Sequence, residues 1–186
     1  MAKKILILFF LVAVQTYAQR CKVEKDPFSN ETITFFDYKA KTVYFKVKND
    51  SITFNVKFNY WGEREYVFDK GTEIRIKFDN GADIALKMVK KAKPIIELVT
   101  SSNATIIGFY GGFNVVSSEN FTAYTFTFLL NKDELKKLSE SKIDVIRIPD
   151  TEEGEYVDLK AKGLTKKKMK AIKKGATCIR EQYNGA

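Results

Sequence analysis

The chain contains no histidine among its 186 residues. That absence excludes a Ser-His-Asp triad, a Cys-His pair and any imidazole-ligated metal, and leaves no side chain that titrates near neutral pH unless its surroundings shift it. Cysteine is almost as scarce, because Cys21 and Cys178 are the only two, too few for a cysteine zinc cluster. Proline occurs three times, and neither Pro94 nor Pro149 marks a domain boundary. No internal repeat or low-complexity tract is visible. The one long hydrophobic run, residues 5–14, is closed by Gln15, Thr16, Gln19 and Arg20, well short of the ~20 apolar residues needed to cross a bilayer.

That run has the layout of a removable signal. Lys3 and Lys4 form a positive start, and Thr16-Tyr17-Ala18 ends on a small residue where a peptidase can cut. Ala18 and Arg20 do not fit the pattern that precedes a lipid-bearing cysteine, so Cys21 is not expected to be lipidated. The expectation is a cleaved signal peptide over 1–18 and a mature chain over 19–186 that begins QRCKVEKD. It is exported, periplasmic or secreted, with no transmembrane segment after cleavage.

What is present in quantity is apolar surface and positive charge. Hydrophobic residues make up 45% of the chain, enough for a substantial core in one β-rich domain. Losing Lys3 and Lys4 would lower the formal charge from +9 to +7, which favours weak attraction to anionic surfaces. Nucleic acid is not an expected partner of an exported protein.

Period-two alternation dominates, placing side chains on opposite faces of strands. Val43, Phe45 and Val47 alternate with Tyr44, Lys46 and Lys48; past Asn49-Asp50 the pattern resumes with Ile52, Phe54, Val56, Phe58 and Tyr60. This reads as a hairpin with a polar turn. A second hairpin runs from Ile74, Ile76 and Phe78 through Asp79-Asn80-Gly81 to Ile84, Leu86 and Met88. Further strands are expected at 31–36, 65–68, 95–100, 122–130, 142–148 and 155–161, and 101–118 reads as the loosest part. Two segments have helical character. Asn131 and Glu134 form a capping box ahead of Leu135 and Leu138. Thr165 is a candidate cap for a helix carrying Met169, Ile172, Ala176 and Ile179, and Gly175 is expected to weaken its middle or end it early. The fold class is therefore mainly β: an antiparallel β-sandwich or open barrel with a short helix near 131–140 and a C-terminal helix near 165–181.

A signal ending in AQ, a cysteine soon after it, GTEIRIKFDNG, LLNKDELKKL, KIDVIRI and a terminal helix holding Cys178 together resemble small secreted β-rich proteins of Bacteroidota without assigned activity. The likeness spans most of the mature chain. It implies an exported compartment and a β-rich domain, and implies no reaction.

Lys160, Lys162, Lys166, Lys167, Lys168, Lys170, Lys173 and Lys174 follow one another without an acidic residue. The last six suit an anion-binding surface directed at an anionic envelope. They equally suit the solvated face of a docked helix, since they are read as falling off the stripe of Met169, Ile172, Ala176 and Ile179. Asp79-Asn80-Gly81-Ala82-Asp83 spaces oxygen ligands like a calcium loop, but position 90 is lysine where such a loop needs glutamate. No metal and no cofactor are expected. Tyr60, Trp61 and Tyr66 form a possible ligand surface, an aromatic platform for a sugar ring, or else core packing. On an extended strand Glu63 and Glu65 would share a face ~7 Å apart, within the range used by glycosidase carboxyl pairs. GFYGGFNVV lacks the lysine and hydroxyl of a phosphate loop and reads as a binding lip or a turn. Asn30, Asn49, Asn103 and Asn120 begin sequons, and Asp50-Ser51-Ile52 resembles a short O-glycosylation motif; modification of either is left open. In an oxidising compartment Cys21 and Cys178 are expected to pair, the alternative being two free thiols. With no catalytic constellation, the expected function is an exported, non-enzymatic binding or structural module. The alternative is a glycan-directed protein, binding sugar near Trp61 or hydrolysing it with carboxylates.

Overall fold

The computed structural model describes residues 21–106, 112–150 and 155–184; the expected signal peptide lies outside them. Among the described residues the chain forms two antiparallel sheets and two helices. The larger sheet has the order β1 (Lys22–Lys25), β2 (Thr32–Tyr38), β3 (Val43–Lys48), β4 (Ser51–Trp61), β8 (Gly112–Leu130) and β7 (Ile95–Ile106). The smaller has the order β10 (Tyr156–Lys160), β9 (Ile143–Pro149), β5 (Glu73–Phe78) and β6 (Asp83–Lys87). Helix α1 (Lys132–Glu140) connects β8 to β9, and α2 (Gly163–Asn184) follows β10.

The alternation read from the sequence sets which face is buried. Phe54, Val56, Phe58, Tyr124, Phe126 and Phe128 of the large sheet meet Ile74, Ile76, Leu86 and Ile146 of the small one in a single core. Phe45, Phe54 and Phe128 occupy one cross-strand row, with neighbouring rings 4.5 and 5.7 Å apart. Such pairs add about 0.5–1.5 kcal/mol each beyond their buried area. The β3–β4 turn holds Asn49 and Asp50 at φ of 49° and 58°, the left-handed pair that matches strand twist in a two-residue hairpin. At one side the sheets are joined: Met88 bridges Phe128, and the Val89 N–H donates to the Thr127 carbonyl at 2.9 Å.

Helix α2 covers the opposite side, lying against β2, β3, α1 and the β9–β10 pair. It runs straight through Gly175, which neither ends nor interrupts it. A Cβ at that position would lie 2.6 Å from the Phe45 ring and 2.7 Å from the Phe36 ring, both fully buried. The missing side chain is what lets the helix reach the sheet. Cys178, one turn on, pairs in a disulfide with Cys21 at the start of β1, their Cα atoms 5.6 Å apart. Helix α1 begins as expected, with the Asn131 side chain accepting from the Glu134 N–H and the Glu134 carboxylate accepting from the Asn131 N–H, at 2.8 and 2.9 Å.

Three further expectations need correction. Residues 65–68 form no strand and make only the single bridge from Phe68 to Ala92, because Gly62 at φ 75° turns the chain out of the sheet. Residues 101–106 and 112–118 are not loose but belong to a long hairpin, β7 pairing with β8 from Ile95↔Ala123 to Ile106↔Gly112; of GFYGGFNVV, 108–111 lie outside the described residues. Helix α2 starts at Gly163, two residues before its expected cap.

Two stability outcomes follow from the seating of α2. Gly175→Ala should gain about 1 kcal/mol of helix propensity yet lose about 1–3 kcal/mol to overpacking, so its urea midpoint should fall. A more stable alanine variant would contradict the close approach. Replacing Cys21 and Cys178 by serine should cost up to about 5 kcal/mol in the chain-entropy picture for so long a loop, and non-reducing mass spectrometry of the native chain should find no free thiol.

Candidate functional site

The clearest concentration of exposed apolar surface lies where β4 ends. Gly62 terminates the strand, and its N–H donates to the Asn120 carbonyl at 2.9 Å. The fully buried Thr122 hydroxyl donates to the Gly62 carbonyl at 2.7 Å and accepts from the Arg64 N–H at 2.8 Å, which fixes the turn. The Arg64 guanidinium lies 5.3 Å over the Tyr60 ring and reaches the Asp150 carboxylate at 2.5 Å.

This turn separates the three aromatics read from the sequence. Tyr60 points inward, only 5% exposed, and its hydroxyl donates to the Pro149 carbonyl at 2.6 Å. Burial, with the Asp150 charge adding to it, pushes that phenol well above its ordinary value. Trp61, the next residue, points to the opposite face, 66% exposed, its ring 4.5 Å from that of Phe121. Tyr66 is half exposed, packs edge-on to Phe68 and accepts the Tyr124 hydroxyl on its carbonyl at 2.8 Å. Tyr60 is therefore core, while Trp61 and Tyr66 are surface.

The sheet register adds residues the sequence did not single out. Ile95 pairs with Ala123 beside Asn59, on the face that carries Trp61; Ile96 pairs with Thr122 and Leu98 with Asn120 on the other face. Ile95, Ile96 and Leu98 are each more than half exposed, and Val67, next to Tyr66 in the chain, is also exposed. Glu97 between them is taken by an ion pair with Lys57. The adjacent isoleucines were legible as a strand, but their exposure follows from β7 being an edge.

The carboxylates are engaged singly. Glu63 accepts from the Asn120 amide at 2.6 Å, and the break at Gly62 removes the strand geometry that would have aligned Glu63 with Glu65. Asp79 accepts from the Lys142 N–H at 3.3 Å, and Asp83 pairs with Arg75 at 2.6 Å, both around a turn closed by Gly81 at φ 84°. Among the described residues no three His, Cys, Asp or Glu side chains are grouped to hold a metal ion.

The basic run divides on the helix. Lys166, Lys167, Lys170 and Lys174 are exposed. Lys170, Lys173 and Lys174 line a shallow 650 Å³ depression beside the disulfide, though the Lys173 ammonium donates to the Glu140 carbonyl at 2.8 Å. Lys168 departs from the expected solvated face. It sits one turn before Ile172 and points inward, donating to the Lys57 carbonyl at 2.6 Å and lying 4.6 Å over the Phe58 ring. The Lys57 N–H still donates to the Thr42 carbonyl, but the Thr42 N–H donates to the Lys39 carbonyl instead of returning to Lys57, and Lys168 supplies the donor to the Lys57 carbonyl. Among the described residues no helix is long and apolar enough to cross a membrane.

The chain matches no protein-family model, no curated protein and no solved structure.

Burial, with the Lys57 charge adding to it, depresses the Lys168 ammonium to about 8, while the unfolded chain keeps the ordinary lysine value of about 10.4. Between those values the unfolded state binds a proton that the native state lacks, so stability should rise as pH is raised through this window. The rise is at most about 3 kcal/mol, reduced by the Lys57 carbonyl and the Phe58 ring, which favour the charged form. Urea denaturation at pH 7 and pH 10 should show the rise in the native protein and a smaller one in Lys168→Met. Equal pH dependence in the two would contradict the burial of this amine.

Proposed function

We propose that the protein is an exported, non-enzymatic binding module that engages a macromolecular partner through the apolar surface at Trp61, Tyr66, Ile95, Ile96 and Leu98. The observation that carries this reading is the gathering of those exposed side chains around one turn and one sheet edge. Exposed apolar side chains gathered at one edge of a folded domain mark an interaction surface. The Cys21–Cys178 disulfide supports an oxidising compartment, and the signal-like start of the sequence agrees with export.

A second reading, glycan recognition, is favoured by one arrangement. Trp61 lies open beside the Phe121 ring, an exposed aromatic surface of the kind that stacks on the apolar face of a sugar.

A photo-crosslinking residue placed at Ile96 should give discrete adducts in cells that make the protein, and the same residue at the comparably exposed Leu129, outside the patch, should give none. Identical patterns at the two positions, or no adduct at either, would overturn the proposal. On a glycan array, binding by the native protein that Trp61→Ala abolishes would establish the second reading, and absence of native binding would discard it.

A further inference from the structure

A sheet edge exposes a row of unpaired N–H and C=O groups, and proteins ordinarily blunt such edges with charge, short length or a covering element. Among the described residues, three of the four sheet edges are managed in that way. β1 has four residues, three of them charged, and is tied down through Cys21. β6 has five residues, and the chain just beyond it bridges onto β8 through Met88. β10 has five, including Asp158 and Lys160, and lies beneath α2.

β7 is treated differently. It is twelve residues long, and its sequence IIELVTSSNATI contains one charge, Glu97, already held by Lys57. No proline interrupts it. Ile95, Ile96 and Leu98, on both faces, stand exposed at its base. Its partner β8 is covered by β4 as far as Phe121, opposite Trp61, with one further bond from the Gly62 N–H to the Asn120 carbonyl, so that among the described residues 112–119 pair with β7 alone. Beyond the body of the domain the two strands form a ribbon, and a two-stranded ribbon is marginal in water without a third strand.

We infer that β7 pairs antiparallel with β7 of a second copy of this chain, joining the two large sheets across a two-fold axis. This rests on the binding-module reading and names its partner. A second copy is the occupant that the edge itself specifies. With the axis between Thr100 and Ser101, all twelve residues pair and Glu97 faces Ala104, so the strand's one charge never meets its own counterpart. The same pairing turns each two-stranded ribbon into half of a four-stranded one, in which β7 of each copy gains its missing neighbour and β8 lies outermost. It is isologous and closes on itself, which a twelve-residue edge open to heterologous stacking would not. Each mature chain carries a formal charge of +7, the +9 of the full sequence less Lys3 and Lys4, so the two copies repel at long range, and added salt strengthens the dimer.

Sedimentation equilibrium of the mature, disulfide-bonded chain over a concentration series tests this, in low and high salt. The expected result is a monomer–dimer equilibrium that tightens with salt, is weakened about ten-fold or more by Leu98→Lys, which sets a lysine on the shared edge of both copies, and is unchanged by Leu129→Lys. Leu98 and Leu129 are both more than half exposed, and circular dichroism and urea midpoints matching the native protein confirm that both variants fold. A chain that remains monomeric throughout overturns the inference, as does a dimer indifferent to Leu98→Lys or weakened by salt. If the chain is monomeric while the Ile96 crosslinker captures a different protein, the inference fails and the binding-module reading stands.

Discussion

The axis of α2 lies on β2 and β3 because position 175 carries no side chain. Its backbone presses against Phe36 and Phe45 at distances where a methyl group does not fit. Much else depends on that contact. It brings Ile172, Ala176 and Ile179 into the core shared with both sheets and sets Cys178 within reach of Cys21. It also positions Thr177 and Arg180 to hydrogen-bond Ser139, which holds α1 against α2, and drives Lys168 over Phe58. The glycine costs helix propensity locally and is repaid in packing of the whole open side of the sandwich.

The two outer faces of the sandwich are finished differently, and the contrast gives the exposed apolar patch its meaning. On the small sheet Arg75 and Arg147 stand directly opposite one another, an arrangement that is unfavourable alone. Asp83 pairs with the first, and Asp158 holds the second at 2.6 and 2.7 Å through two of its guanidinium nitrogens. Charge of both signs thus spans β6, β5, β9 and β10 and keeps that face in water. The large sheet has no such cover at its β7 side: among the described residues β7 is an unpaired edge, with Trp61 and Ile95 exposed on the outer face and Ile96 and Leu98 exposed on the other.

Much of this was legible because half-buried antiparallel strands alternate so regularly. The two hairpins around Asn49-Asp50 and Asn80-Gly81, and the capping box at Asn131, could be read from local chemistry alone. The remainder depends on long-range contacts that leave little local trace. β1 is the short charged segment KVEK, held in place by β2 and the disulfide rather than by any pattern of its own. The polar stretch through Ser101 and Ser118 lacks apolar alternation and is held by its ladder to the opposite strand. In two places the signal was present. Lys168 lies four residues before Ile172, on the buried stripe, and Tyr60 and Trp61, as neighbours on a strand, had to point to opposite faces.

Native-state hydrogen exchange is the most direct test of the central claim, that docking of α2 completes the fold rather than decorating it. In the oxidised protein, amides of α2 around Ile172 to Ile179 should exchange at the same slow rate as those of β3 and β4, showing that helix and sheet open together in one global unit. Exchange of the α2 amides at a distinctly faster rate while β3 and β4 stay protected would show the helix detaching on its own, and would contradict the account.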